Sequence, residues 1–536
     1  MKRLSLLLAV FVAAFAASCS GGGGGTTLPP PPPNGFSKAT LKGQFAFVMT
    51  GQAVDGFGLM RIGTFVADGN GNIQGGTELV NTLTNGFEQL NFSAGTAYNV
   101  SSDGRGAINL LNSSGPSAYS ITFTSPTQGY ICETDGLNGA SGTFELQDST
   151  ALSSNAVAGP FVFNVTGAVS DTNNNLFADS IVGQIVLNSG VVQGGVFDEN
   201  NDAVASNPVT IGNGSGSFTV ADTTNGLGTL TFNNNNFQYA FVIVNSKKFH
   251  MIEIPPTGSS FPMTIGTATA QTAPPAKNAD FNGSYAFITS GVGTTTNDFK
   301  AGRFTANNGA LTSVVMDEKL LGSSITNIPS GSGSLSAMQY TVDPSFPGSG
   351  RVTISFLDSI NKQPYQFIAY MSSAAQGVIQ DVSPGIVADG KILAQTGGPF
   401  TNGSIAGSYG FNWSGVSNNN STGVRGAEED FVGQVTFTSA TSNNVTGAMD
   451  FSELTANQGA FHDSALNGTL TINGDGTVSS SGNRNTLTIN AAGTNGGPSS
   501  TFNFNLYPVN STTMFVVETD KDHSTGGTFT LQITPP

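Results

Sequence analysis

The sequence predicts an all-β protein: four tandem antiparallel β-meander domains, each a small eight-stranded barrel, with a two-sheet β-sandwich as the alternative. Three observations lead there. Only 10% of residues are charged, against about 25% in ordinary soluble domains, and Gly, Ser, Thr and Asn fill the gap. That mixture suits strands and turns better than helices, whose exposed faces carry Glu, Lys and Arg. Segments such as Phe237-Gln-Tyr239-Ala-Phe241 and Phe502-Asn-Phe504-Asn-Leu506 alternate with period two, between turn pairs such as Asp103-Gly104 and Asn225-Gly226. Finally, one unit occurs four times.

Each copy opens on a glycine and alternating aromatics: Gly43-Gln-Phe45-Ala-Phe47, Gly159-Pro-Phe161-Val-Phe163, Gly283-Ser-Tyr285-Ala-Phe287 and Gly407-Ser-Tyr409-Gly-Phe411. Each closes on a strand ending in glutamine, at Gln147, Gln271, Gln395 and Gln532. A second strand recurs at Gly63, Gly183, Gly302 and Gly433. Matching starts and ends at nearly equal intervals define repeats over 39–150, 156–273, 279–397 and 403–534. About eight strands fit in each. A meander of that size closes most simply into a barrel, which removes exposed edges. In architecture alone the unit resembles lipocalin-type and avidin-type barrels, and that resemblance transfers no binding residue.

Ahead of the repeats, Lys2 and Arg3 precede an apolar run from Leu4 to Ala17, the length of a signal-peptide core and short for a bilayer span. It ends in Ala16-Ala17-Ser18-Cys19, which resembles the lipobox of bacterial lipoproteins, with Ala16 where that family usually has Leu. The resemblance implies that residues 1–19 direct export and that Cys19 is lipidated, anchoring the chain to a membrane. Ser20 in place of the Asp that favours inner-membrane retention implies the outer membrane. Residues 20–38 include a Gly run and a polyproline stretch, expected to act as a tether. The net charge of -16, with 18 Lys and Arg thinly spread, argues against a nucleic-acid surface.

Candidate chemistry is sparse. The Asp68 to Asn72 segment, Asp-Gly-Asn-Gly-Asn, offers one carboxylate where a calcium loop needs six to eight oxygens. Its counterparts Asn188-Ser-Gly190 and Asn307-Asn-Gly309 keep turn chemistry and not charge, so a hairpin is expected and no metal site. His250, His462 and His523 are scattered; His462-Asp463-Ser464 holds triad residue types, but chain neighbours rarely converge. His523 reads as a solvated loop residue, and Cys132 as a small core residue. Glu133 and Asp135 recur as Glu518 and Asp520, with Glu253 and Gln380-Asp381 in the other copies; they read as strand-end turns facing water rather than a glycosidase pair.

No catalytic residue and no cofactor is therefore expected. The reading is a non-enzymatic envelope lipoprotein acting as a surface spacer, adhesive or multivalent binding protein. The alternatives are a carrier of small apolar ligands inside the barrels, and a glycan-active extracellular protein. The aromatics Phe45 and Phe47, Phe161 and Phe163, and Tyr409, Phe411 and Trp413 share one strand face, so they are expected to fill the interiors. The joints, such as 272–279 with Pro274-Pro275, are expected to be accessible to proteases.

Overall fold

The computed structural model describes residues 35–535 apart from 54–55, 57, 172–174, 258, 260, 294–295, 332, 419–426, 439–442, 455–458, 475–483 and 493–499. The signal segment, Cys19 and most of the tether lie outside the described residues.

Four antiparallel units are present as the repeats predict. Repeat 1 runs from strand Lys42–Gln52 to Gly139–Leu146, repeat 2 from Gly159–Ser170 to Met263–Ala270, repeat 3 from Gly283–Val292 to Val387–Ala394, and repeat 4 from Gly407–Ser417 to His523–Leu531. In each, the first strand pairs with both the second and the last. Repeats 3 and 4 close as eight-stranded barrels, repeat 3 with the short strand Thr326–Ile328 added outside the circuit. Repeats 1 and 2 are wound the same way, and the gap in each circuit is crossed by single bridges, Asn72 to Ala97 and Val191 to Ser217.

The recurrent glycines have two distinct physical reasons. Gly43, Gly159, Gly283 and Gly407 sit at φ of +115°, +103°, +107° and +149°, a region L side chains avoid. Gly63, Gly183, Gly302 and Gly433 lie directly opposite Phe47, Phe163, Phe287 and Phe411. A Cβ on any of these four would stand 2.5–2.9 Å from the facing ring. Each phenylalanine thus lies across its glycine. The alternating aromatics point inward as expected: Phe45, Phe47, Phe161, Phe163, Tyr409, Phe411 and Trp413 are all at most 1% exposed. Trp413 stacks on Phe411 at 4.1 Å and packs among Phe431, Phe504 and Phe529. Each such side chain contributes about 1.5–3 kcal/mol on burial. The barrels are filled by their own side chains.

The units are not strung out. Barrel 1 packs on barrel 2 through Ala46, Met60, Ile62 and Leu79 against Leu227, Val242, Val244 and Ile265. Val162, Val182 and Val196 of barrel 2 meet Ile368 and Tyr370 of barrel 3. Phe299, Ala301 and Val315 of barrel 3 meet Tyr507, Phe515 and Val517 of barrel 4. Barrel 4 returns to barrel 1: Ser141 donates to Asp430 Oδ1 at 2.6 Å, and the Tyr130 and Thr530 hydroxyls stand 2.8 Å apart. The four barrels close a ring.

The glutamine that ends each repeat latches this ring. Gln147 Nε2 donates to Ile243 O of barrel 2, Gln271 Nε2 to Met371 O of barrel 3, Gln395 Nε2 to Pro508 O of barrel 4, and Gln532 Nε2 to Phe123 O of barrel 1. The next residue repeats the pattern with its backbone, Asp148 to Val244, Thr272 to Ser372, Thr396 to Val509 and Ile533 to Thr124, at 2.8–2.9 Å. The fourth junction copies the first three although no peptide linker spans it. The joint at 272–279 touches barrel 3 where Ala273 is bridged to Ser373, and its residues Thr272, Ala273, Ala276, Lys277 and Ala279 are exposed.

Candidate functional site

The outward face of each first strand turns toward the middle of the ring. Val48 and Thr50, Asn164 and Thr166, Ile288 and Ser290, and Asn412 and Ser414 hold equivalent positions in the four repeats. All line one cavity of about 580 Å³. The small polar residues on that face are thus the wall of a shared internal space.

The closing strands complete the wall. Thr143, Thr267, Lys391 and Thr528 stand directly opposite Val48, Asn164, Ile288 and Asn412. Three repeats place a threonine here and the third places a lysine. Lys391 is open to the cavity, and among the described residues its ammonium has no ion-pair or hydrogen-bond partner. Burial, then the nearby charge of Lys248, hold it below the ordinary lysine range. Lys248 also lines the cavity but is spoken for, 2.5 Å from Glu145 Oε1 of barrel 1. Asp389 receives Asn164 Nδ2 across the seam between barrels 2 and 3, and burial raises its carboxyl to about 6. His250 is buried beside this group, its Nδ1 2.9 Å from Thr267 Oγ1; burial pushes it down to about 3, so it is neutral. The site offers a solvent-accessible cation, drawn only at a distance by Glu145, on a wall of mixed polar and apolar residues.

The residues singled out in the sequence fall elsewhere. Asp68 accepts from the backbone N of Asn70 at 2.7 Å and of Asn72 at 3.0 Å, and its other oxygen receives Asn72 Nδ2. Hydrogen bonds from its own turn, led by Asn72, hold it at about 2, which is hairpin chemistry. Cys132 is fully buried as expected, but it faces barrel 4, its Sγ 3.6 Å from Asp430 O. Asp463 pairs with Arg105 of barrel 1 at 2.8 Å and His462 lies 3.9 Å from Asp450, so those triad residue types serve a seam.

Asp135 and Asp520 are half-exposed, Asp135 accepting from the backbone of its own turn at Leu137 and Asn138, but the other recurrent carboxylates do not face water as the sequence suggested. Glu133, Glu253, Asp381 and Glu518 are at most 5% exposed, because the strand alternation turns them inward at one end of each barrel. There Glu133 and Glu78 share Arg61, at 3.2 and 2.8 Å. Asp381, Asp298 and Glu318 share Lys300. Glu429 of barrel 4 pairs with His523 at 2.9 Å, and Glu518 accepts from the Thr525 hydroxyl. His523, expected in a solvated loop, begins the closing strand, and Glu429 above all raises it to about 9 against the opposing effect of burial. Burial lifts Glu133 and Glu518 to about 8. These are polar plugs at the ends of the barrels. Sequence reasoning missed the central wall; the threonines at 143, 267 and 528 with Lys391 in register were its one available signal.

No family model and no curated protein matches the chain. Among solved structures it is similar to an intact TbpB with N and C lobes, at TM-score 0.18 and 10% identity over 95% of this chain and 99% of that one. Two mutants of transferrin-binding protein B from Haemophilus parasuis align comparably. One has TM-score 0.18 and 10% identity over 76% of this chain and 84% of that one. The other has TM-score 0.19 and 8% identity over 96% and 98%. Superpositions this loose establish no common arrangement.

Proposed function

We propose that the chain is a non-enzymatic binding protein of the bacterial cell envelope, tethered to the outer membrane through lipid on Cys19. Its central site takes one small ligand carrying an anionic group. The observation that supports this reading is the cavity built from equivalent positions of four repeats, with Lys391 breaking the threonine pattern and left without a partner. The Lys391 ammonium is solvent-accessible on the cavity wall and has no hydrogen-bond partner to displace among the described residues, so an anion entering the cavity can pair with it directly. The spacer reading loses its geometric basis, since a ring has no reach. The apolar-carrier reading loses its space, since the barrels are filled. A ring also explains why four copies are needed for one site.

The test is calorimetric titration of the full chain with succinate and with inorganic phosphate. One of them should bind saturably with one site per chain. Binding should strengthen as pH falls, because the depressed Lys391 gains its proton. Lys391→Thr, which installs the residue of the other repeats, should reduce affinity about tenfold or more. Binding unchanged in that variant, or absent for both anions, would sink the reading.

A further inference from the structure

Barrels 2 and 3 each carry three carboxylates at equivalent positions of one end, with Glu253 in barrel 2 where barrel 3 has Asp381, and only barrel 3 neutralises them with a cation. In barrel 3 the register sets Asp298 opposite Gly291, Glu318 opposite Lys300 and Asp381 opposite Phe367. In barrel 2 it sets Asp179 opposite Gly167, Glu199 opposite Ile181 and Glu253 opposite Tyr239. Lys300 Nζ reaches all three barrel 3 carboxylates, at 2.5, 3.0 and 3.0 Å. The residue at its position in barrel 2 is Ile181. Among the described residues, none of the charges acting on Asp179, Glu199 or Glu253 comes from a cation.

Two further features mark this end as open for a ligand. The Asp179 side chain is buried, the residue being 3% exposed, and its Oδ1 accepts no hydrogen bond. A cavity of about 420 Å³ opens beside Glu199, lined also by Phe177, Asn201, Asp202, Val204 and Ser206. Two buried carboxylates, Asp179 and Glu253, beside the half-buried Glu199 and without a cation cannot all ionise. Burial first, then their shared repulsion, lift Asp179 to about 8 and Glu253 to about 7, while burial raises Glu199. Near neutral pH the group holds protons that a cation can displace. Among the described residues no set of acidic, His or Cys side chains is spaced to hold a metal ion.

We propose that this end of barrel 2 binds a primary alkylammonium, its nitrogen standing where Lys300 Nζ stands in barrel 3 and its alkyl chain lying against Phe177 and Val204. The barrel 3 plug is the internal template: carboxylates at the same register positions, Asp381 standing where barrel 2 has Glu253, already hold an ammonium on a four-carbon chain. The site is separate from the central cavity, so either can fail alone.

The experiment titrates the full chain with n-butylamine, the lysine side chain as a free molecule, followed by calorimetry. One site per chain is expected, with affinity rising between pH about 6 and about 9 as the raised carboxyls ionise. Asp179→Asn should weaken binding about 30-fold. Ile181→Lys, which rebuilds the barrel 3 plug, should abolish binding and raise the melting temperature. Should that variant fail to fold, Glu199→Gln at the cavity wall decides, and unchanged butylamine affinity there would overturn the proposal. So would the absence of a butylamine isotherm in the wild type, or a calcium isotherm that competes with the amine and is tighter.

Discussion

At the seam between barrels 1 and 2, Leu79 and Leu227 lie in one apolar cluster. At the seam between barrels 2 and 3, the same two register positions hold Asp198 and Arg351, joined by paired hydrogen bonds of 2.7 and 2.8 Å. The Tyr370 hydroxyl adds a third contact to Asp198, at 2.7 Å. The remaining seams follow the charged pattern, Asp317 with Arg484 at 2.9 Å and Asp450 with Arg105 at 3.9 Å. One backbone arrangement thus accepts either a leucine pair or a buried ion pair. The difference teaches that the ring is specified by the backbone latches common to all four junctions. The seam side chains need only satisfy each other.

The sharpest way to break this comparison is to remove half of an ion pair. Arg351→Ala strands the buried Asp198 carboxylate and should cost about 3–5 kcal/mol in denaturant unfolding. A cost below about 1 kcal/mol would show that the seam does not depend on that pair.

A smaller effect is expected from cutting a latch. Gln532→Ala leaves Asp103 O and Phe123 O without the donor that reaches both at 2.8 Å, a loss of about 1–3 kcal/mol. Cys132 supplies the readout, because its buried thiol faces Asp430 across this seam and burial raises it well above the usual thiol range. Labelling by a thiol reagent should accelerate in Gln532→Ala and stay slow in Gln147→Ala, which cuts the junction between barrels 1 and 2. Equal rates would mean that the seams open together.

The smallest effect is the most telling. Replacing both partners, Asp198→Leu with Arg351→Leu, converts the second seam into the first. Stability should then stay within about 1 kcal/mol of the wild type or rise, as for apolar replacements of buried ion pairs elsewhere. A loss as large as that of Arg351→Ala alone would mean that the two seams are not interchangeable.

Much of this was legible in the sequence. The four units, their strand pairing and their aromatic interiors follow from period-two alternation, because one strand face must be buried and the aromatics choose it. The ring was not legible, for a physical reason. Alternation assigns the second face to water by default, and Asn412, Ser414, Thr50 and Thr166 are polar enough to accept that assignment. Glu133 and Glu518 misled for the opposite reason, since a carboxylate near a turn reads as solvated unless its partner is known. Arg61, the partner of Glu133, lies 72 residues away along the chain, and Glu518 is held by the Thr525 hydroxyl, whose inward direction is set only by the pairing of the closing strand. The recurrent Gln at 147, 271, 395 and 532 was visible as a repeat marker. Its meaning as a latch needed the neighbouring carbonyl.

The fourth latch has a consequence for how the chain can be cut and rejoined. Phe36 stacks on Phe123, and Ile533 donates to the adjacent Thr124, so both flanks of the folded region dock on one barrel. With the unlinked junction matching the linked ones, the order of repeats along the gene is a matter of where the circle was opened. A circular permutant beginning at repeat 2, 3 or 4, with a short linker from 533 to 36, should assemble the same ring.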